Sequence, residues 1–104
     1  MTNKLVVFST CGSAEEAEKL ARMLLEARLA ACVNVLMQVQ SYYWWEGKIE
    51  HSAECLLVIK TSQDLFSDLV LKLEAAHSYL VPEVLALPVL AASPKYLDWL
   101  NAHV

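Results

Sequence analysis

One stretch of the sequence, from Ala31 to Thr61, constrains the fold most because it contains two long strand-like segments on either side of one glycine. Polar and apolar residues alternate along both segments, which is the period of a β-strand. Gly47 accepts a positive φ without steric cost, so Glu46 and Gly47 suit a tight hairpin turn, either a two-residue loop or a type I turn closed by a glycine bulge. Strands usually have about five or six residues. Arms of this length are therefore expected to project beyond the domain and to serve association.

The alternation assigns the residues of both arms to two faces. In the first arm it places four apolar residues on one face: Val33, Val35, Met37 and Val39. In the second arm it places a longer set on one face: Ile49, His51, Ala53, Cys55, Leu57 and Ile59. The other face of the second arm also becomes apolar at Leu56 and Val58, as in strands that are covered on both sides. We therefore expect both faces of the sheet to be covered there.

The segments that flank the hairpin predict two further strands and three helices. Residues 4–10 form an apolar run typical of a central strand, and Ser13 with Glu16 forms a capping box that starts a helix. Thr61 or Ser62 is expected to cap a second helix that ends near His77. The remaining elements are a last strand over residues 84–90, with Pro88 at an edge or bulge, and a short helix opened by Ser93 and Pro94.

The predicted order βαββαβ with a short C-terminal helix indicates an α+β, ferredoxin-like fold in a single domain over residues 1–104. In this arrangement both main helices lie on one face of an antiparallel sheet, so the other face lacks a cover. Hydrophobic residues make up 57% of the chain, above the roughly 45–50% of typical soluble domains. Because a small domain leaves much of its surface exposed, this excess predicts a homo-oligomer.

Composition and motif content argue against several classes of protein. No apolar run reaches the 18 or so residues that span a bilayer, so we expect no membrane segment. The net charge of −4 argues against a nucleic-acid partner, because phosphate binding needs clustered Lys and Arg. Three cysteines without C-x-x-C spacing indicate reduced thiols in a cytoplasmic protein. No phosphate-binding loop, zinc-protease motif or nucleophile elbow occurs, so an enzyme is the least supported class.

Polar residues on conspicuous elements are the candidates for a site: Cys11, Glu50, His51, Lys60, His77, Tyr79 and Glu83. His77 either interacts as an imidazolium with the C-terminus of the second helix or ligates a metal. Lys60 either extends to solvent or pairs with Glu83 or Glu50 across a cleft, and we favour the pair. The aromatic residues at 42–45 are more typical of contact with a neighbouring chain than of a cofactor site.

With these residues identified, the sequence resembles the CutA family of divalent-cation tolerance proteins from about Leu5 to Leu100. Several blocks carry the resemblance: Ala31–Asn34, Ser41–Glu50, Ile59–Thr61, His77–Glu83, Leu87–Val89, and Tyr96, Leu97 and Trp99. The resemblance implies a ferredoxin-like protomer that assembles into a homotrimer through its long hairpins. It also implies association with divalent cations, copper especially. Zinc is the other metal that imidazole and thiolate donors would suit.

The resemblance also implies the metal ligands. Copper sites attributed to the family use a Cys near the end of the first strand and adjacent His residues at the end of the second helix. The corresponding positions here are Ser9, Ala76 and His77, and Cys11 lies two residues beyond Ser9. His77 and Cys11 are therefore the metal-ligand candidates. A further departure, Met37-Gln38 where the family commonly has Pro-Gly, is expected to leave the hairpin straighter.

Three functions are consistent with these features. The first is a homotrimeric cation-binding protein in which an intersubunit cleft is lined by four residues: Lys60, Glu50, Tyr79 and Glu83. The second is a small-molecule sensor, similar to the trimeric PII-type signalling proteins, that takes an anion or metabolite beside Lys60. The third is an assembly scaffold without chemistry that retains partner proteins.

Overall fold

The computed structural model describes all 104 residues and contains four strands and three helices. In chain order the elements are β1 (Lys4–Cys11), α1 (Ala14–Glu26), β2 (Cys32–Trp45), β3 (Lys48–Ser62), a 3-10 turn (Gln63–Leu65), α2 (Phe66–Ala76), β4 (Leu85–Pro88) and α3 (Pro94–Asn101). The strands form one antiparallel sheet in the order β2-β3-β1-β4. This topology confirms the ferredoxin-like fold. None of the helices is both long and apolar enough to cross a membrane.

The predicted start of α1 is confirmed and that of α2 is wrong. The Ser13 hydroxyl accepts a 3.2 Å hydrogen bond from the Glu16 N–H, which caps α1. Thr61 and Ser62 still belong to β3, where they pair with residues of β1, and α2 begins only after the 3-10 turn. The Thr61 hydroxyl donates to the Leu29 carbonyl at 2.7 Å and is therefore not available as a cap.

The hairpin consists of a 14-residue strand and a 15-residue strand joined by a two-residue turn. Trp45 pairs with Lys48, which leaves only Glu46 and Gly47 in the loop. Their φ angles are +50° and +78°, the positive pair that defines a type I′ turn. This geometry matches the right-handed twist of the arms and confirms the first of the two predicted turns.

A β-bulge divides β2 and places Val39 on a different face from the one that the alternation predicts. Leu36 pairs with Leu56 but Val39 pairs with Glu54, so β2 holds one residue more than β3 over this span. Gln38 has a φ of +59° at the bulge. Val39 therefore lies on the opposite face from Val33. A bulge bends its strand and increases the local twist. That this hairpin is straighter than one with Pro-Gly at these positions stays a prediction.

The core lies between the sheet and the helices α1 and α2. One face of the sheet contributes fully buried side chains, including Val7, Leu57 and Ile59, and the helices contribute Leu20, Leu24, Leu69 and Leu73. On the opposite face, Val6, Phe8, Leu56 and Val58 are only half-buried. The face without α1 and α2 is thus incompletely covered within one protomer, as the order of elements predicts.

Candidate functional site

A groove of about 690 Å³ lies between the outer half of the hairpin and the loop that precedes β4. Residues 41–45 of β2 form one wall and residues 79–83 of the loop form the other. Thr10 and Glu54 complete the lining. Both belong to the sheet face opposite the core, and the walls are largely aromatic and aliphatic. A concave surface with an apolar lining and a few polar groups is typical of a binding site.

A short hydrogen bond joins the two sides of the groove. The Tyr79 hydroxyl donates to Glu54 Oε2 at 2.6 Å. Burial and this bond to a carboxylate both raise the pKa of Tyr79, so the residue remains a neutral phenol that donates to Glu54. Tyr79 therefore fixes both the position of the loop and the orientation of the carboxylate.

Glu54 is a nearly buried carboxylate without a cationic partner. Its residue is 9% exposed, and the ion pair that the chain forms joins two other residues, Arg22 and Glu18. Burying an ionised carboxylate is costly unless an opposite charge or several hydrogen bonds compensate it. The groove is therefore a place where a cation, from a ligand or from another chain, would be stabilised.

His77 anchors the start of the groove loop. Its Nε2 lies 2.8 Å from the Thr10 carbonyl oxygen, and its Nδ1 accepts a 3.0 Å hydrogen bond from the Tyr79 N–H. Since a carbonyl only accepts and an amide only donates, these partners assign the neutral imidazole with its proton on Nε2. The side chain is fully buried. Both ring nitrogens are thus committed to the backbone.

Glu16 of α1 holds the next residue of the loop. Its two carboxylate oxygens accept hydrogen bonds from the Ser78 N–H at 2.8 Å and from the Ser78 hydroxyl at 2.9 Å. Burial disfavours the charged form of Glu16, but the hydrogen bonds from Ser78 outweigh burial and lower the pKa of the carboxyl group. Because Nδ1 of His77 carries no proton, its 3.8 Å approach to Glu16 is not an ion pair. The loop is therefore fixed to both β1 and α1.

Cys11 and His77 do not form a ready metal site in this structure. Cys11 is fully buried on the core face, its thiol donates to the Ser13 carbonyl at 3.6 Å, and burial raises its pKa to about 11. A metal at His77 would have to displace the Thr10 carbonyl or the Tyr79 amide. No three His, Cys, Asp or Glu side chains converge in a way that could hold a metal ion. The residues present thus do not fit the copper or zinc site implied by the resemblance, and ligation by His77 stays a prediction.

Lys60 and Glu50 lie far from each other within the protomer. The Lys60 ammonium group contacts the Asn34 side-chain oxygen and lies 3.9 Å from the Cys32 sulfur. Ten residues of extended strand separate Lys60 from Glu50, which corresponds to about 33 Å. Within one chain Lys60 contacts Asn34 and Cys32 instead of Glu50 or Glu83, and its pairing with either carboxylate across an intersubunit cleft stays a prediction. Of the four predicted cleft residues, the structure brings only Tyr79 and Glu83 together.

His51 has a structural role at the outer end of the hairpin. Its ring stacks on Tyr42 with the centroids 4.4 Å apart, and its Nε2 lies 2.6 Å from the Gln40 side-chain oxygen. The aromatic residues around it remain exposed, with Tyr42 71% and Trp44 73% accessible. This surface is available to another molecule.

Glu54 is the site residue that the sequence did not identify. In the alternating pattern it belongs to the polar face of its arm, with Glu50 and Ser52. Its contact with Tyr79 joins residues 25 positions apart and cannot be inferred from strand periodicity. One sequence feature could have identified it: Glu54 is the last acidic residue before the arm becomes apolar on both faces.

The fold and the groove define a class of protein, the ferredoxin-like chains whose long hairpin extends an apolar and aromatic surface beyond the sheet. A family model described as "CutA1 divalent ion tolerance protein" matches residues 5–103. The chain belongs to the CutA1 family, and the resemblance noted in the sequence is confirmed.

Individual relatives agree with this assignment. The chain is 45% identical over 97 residues to "Protein CutA 1, chloroplastic" of Oryza sativa, covering 93% of this chain but 55% of that protein. It is 40% identical to "Divalent-cation tolerance protein CutA" of Archaeoglobus fulgidus, with 94% of this chain and 95% of that protein covered. A solved structure of the Thermus thermophilus divalent cation tolerance protein superimposes with a TM-score of 0.93 at 41% identity, covering 96% of this chain and 97% of that one. The chain thus spans about half the length of its plant relative and nearly all of the prokaryotic ones.

Proposed function

We propose that this protein is a homotrimeric divalent-cation tolerance protein that takes its cation in the groove between residues 41–45 and 79–83. The observation that carries the proposal is the nearly buried carboxylate of Glu54, which is held by Tyr79 and lacks a cationic partner. Glu83 supplies a second carboxylate to the same groove. Carboxylate, hydroxyl and water oxygens suit hard divalent cations.

Association through the hairpin follows from its exposed apolar surface. Tyr42, Trp44 and Ile49 are among its most exposed residues, and the half-buried Leu56 and Val58 lie on the opposite, incompletely covered face of the hairpin. Exposed apolar surface of this kind marks an interaction site. The family resemblance supplies the number of copies, three. In such a trimer Lys60 and Glu50, which do not reach the groove of their own protomer, would line it only from neighbouring copies.

Calorimetric titration of the assembled protein with Mn²⁺, a hard cation, and with Cu²⁺ and Zn²⁺ tests the groove. Glu54→Gln removes the charge and keeps the shape, so we expect it to abolish the binding heat. Glu74→Gln, an exposed carboxylate of α2, is the matched control and should leave the heat unchanged. If His77→Ala abolishes binding while Glu54→Gln does not, the cation binds at the copper-type site implied by the resemblance and the groove proposal is wrong.

Sedimentation velocity tests the assembly separately. Trp44→Glu places a charge on the exposed hairpin and should dissociate the trimer. Leu71→Glu places the same charge on an exposed position of α2, 66% accessible, and should not. A monomer for the unmodified chain at high concentration would contradict the trimer.

A second function, small-molecule sensing in the manner of PII-type proteins, is favoured by the size of the groove. Its 690 Å³ lies within the range of about 300–1,000 Å³ typical of ligand pockets. This version predicts an anion or metabolite that extends from the groove to Lys60 of a neighbouring copy. Lys60→Ala would then abolish metabolite binding and leave the cation heat intact.

The cellular setting completes the proposal. All three cysteines are free thiols, as expected in a reducing compartment, which supports a cytoplasmic location. We assign the groove a binding role without a catalytic step, in keeping with a family named for tolerance. Subcellular fractionation of the native host, followed by detection of the chain with an antibody, would test the location.

A further inference from the structure

The lining of the groove combines carboxylates with aromatic rings and contains no basic side chain. Its twelve residues include two acidic ones, Glu54 and Glu83, and no Lys, Arg or His. Five of the others are tyrosines or tryptophans. The face of an aromatic ring carries negative electrostatic potential and attracts cations. Charge and ring chemistry together therefore favour a ligand that is both positively charged and organic.

Two of the aromatic residues lie on the same face of the hairpin as Glu54. Tyr43 pairs with Glu50, and Trp45 pairs with Lys48. Both partners lie an even number of residues from Glu54 along β3, and alternate side chains of a strand share a face. Tyr43 is 41% exposed and Trp45 is 45% exposed. Their rings are therefore accessible to a ligand that is bound at Glu54.

The spacing along the strand sets the shape of a ligand that uses both features. The backbone opposite Tyr43 is separated from Glu54 by about 13 Å of extended strand. The Tyr43 side chain shortens this gap, because its hydroxyl lies 3.2 Å from the hydroxyl of Ser52, which shares the face of Glu54. A ligand that reaches both must therefore carry its charge at one end and an apolar group a short chain away.

The hydrogen bond from Tyr79 leaves one oxygen of Glu54 available to such a ligand. The Tyr79 hydroxyl donates to Oε2, and Oε1 accepts no hydrogen bond from the chain. Oε1 is not among the buried side-chain atoms without a partner, so it is open to the groove. An ammonium group has three donors and can bind a single carboxylate oxygen. A divalent cation needs six or more oxygen ligands and would fill only a small part of the 690 Å³.

We propose that the groove binds a small organic cation in which a primary ammonium group is joined to an apolar or aromatic body by a short chain. The ammonium group donates to Glu54 Oε1, and the apolar body lies along Tyr43 and Trp45. The inference rests on the proposed function for the place of binding, because both put a positive charge at Glu54. The two differ in the role of the walls, which contact an organic cation but not a metal ion.

Calorimetric titration of the assembled protein with phenethylamine tests the inference. We expect saturable binding of one molecule per protomer. Phenethyl alcohol and phenylacetate keep the ring and replace the ammonium group with a neutral or a negative group, so neither should bind. Glu54→Gln should abolish phenethylamine binding, and Glu74→Gln should leave it unchanged. The ligand series uses the unmodified protein, so this part of the test does not depend on the folding of a variant.

Substitution of a wall residue separates the organic cation from a metal ion. Tyr43→Leu removes one aromatic ring and should weaken phenethylamine binding at least about fivefold, the order of one aromatic contact. The same variant should leave the heat of Mn²⁺ binding unchanged. Tyr96→Leu is the matched control, because Tyr96 is also 41% exposed but belongs to α3, outside the groove. Thermal unfolding and sedimentation verify that each variant is folded and assembled.

Three results would overturn the inference. The first is equal affinity for phenethylamine and phenethyl alcohol, and the second is unchanged phenethylamine affinity in Tyr43→Leu. The third is binding that appears only in Lys60→Ala, which would show that a lysine of a neighbouring copy occupies the groove. Heat with Mn²⁺ but none with phenethylamine would refute this inference alone, and the reverse pattern would refute the divalent-cation site alone.

Discussion

The Tyr79 hydroxyl and the Glu54 carboxylate, 2.6 Å apart, join the loop before β4 to the middle of β3. This bond is the closest polar contact between the two sides of the groove. It connects the hairpin, which extends beyond the sheet, to the loop that His77 and Glu16 hold against the rest of the chain. Any ligand in the groove would therefore contact both the hairpin and the loop that is fixed to the rest of the protomer.

Tyr79→Phe should lower the free energy of unfolding by about 1–3 kcal/mol, because it leaves a nearly buried carboxylate without its donor. Urea denaturation followed by circular dichroism measures the loss. Tyr96→Phe is the matched control, since Tyr96 is 41% exposed and forms no hydrogen bond through its hydroxyl. Equal effects of the two substitutions would show that the bond to Glu54 contributes nothing.

Ser78→Ala should reduce stability by about 1–2 kcal/mol near neutral pH through loss of the hydroxyl donor to Glu16. The pKa of Glu16 is lower in the folded state than in the unfolded state. The Glu16 carboxylate therefore contributes stability at pH values above its unfolded-state pKa, and this stability is lost as the pH falls through its folded-state pKa. The difference from the unmodified protein should thus disappear in acid. Urea denaturation measured across this pH range checks the prediction, with Ser67→Ala at an exposed position as the control. A loss of unfolding free energy that does not change with pH would show that the charge of Glu16 is irrelevant.

Gly47→Ala should destabilise the hairpin by about 1 kcal/mol, because φ at this position is +78° and an L-residue is strained there. Gly12→Ala is the contrasting substitution. A Cβ at Gly12 would lie 3.5 Å from the Tyr79 hydroxyl, an ordinary contact, and its φ is not in the left-handed region. Thermal melts of the two variants should differ clearly, and a Gly12→Ala protein less stable than Gly47→Ala would contradict this account of the turn.

Ser9→Ala should raise the free energy of unfolding by about 1 kcal/mol. The residue is fully buried and its hydroxyl has no hydrogen-bond partner, so the substitution removes an uncompensated polar group. Thr61→Val provides the opposite case, because the buried Thr61 hydroxyl donates to the Leu29 carbonyl and its loss should cost about 1 kcal/mol. If chemical denaturation shows that both substitutions change the free energy of unfolding in the same direction, the difference between an unpartnered and a hydrogen-bonded buried hydroxyl is refuted.

The sequence predicts those parts of the molecule that depend on local chemistry. The turn at Gly47, the cap at Ser13 and the order of the strands each follow from residues within a few positions of one another. The ferredoxin-like topology follows from that order together with the apolar periodicity. The groove is different, because Tyr79 and Glu54 meet only through the tertiary fold.

The errors have equally specific causes. Nothing in the residue types of Met37 and Gln38 requires a positive φ, so the bulge and the face of Val39 are set by pairing with β3 rather than by local preference. Thr is a common N-cap residue, but pairing with Leu5 keeps Thr61 in the strand. Lys60 finds a partner across the ladder at Asn34, which strand alternation does not reveal.

The bulge in β2 also bears on how the length of this arm can change among relatives. The residues before Met37 and after Gln38 pair regularly with β3, which has no bulge of its own. β2 therefore contains one extra residue at this point. A single deletion there would restore regular pairing without moving the aromatic tip to the other side. The same deletion nearer the tip would shift the intervening side chains against their partners. Insertions and deletions in this hairpin are therefore expected to accumulate at the bulge.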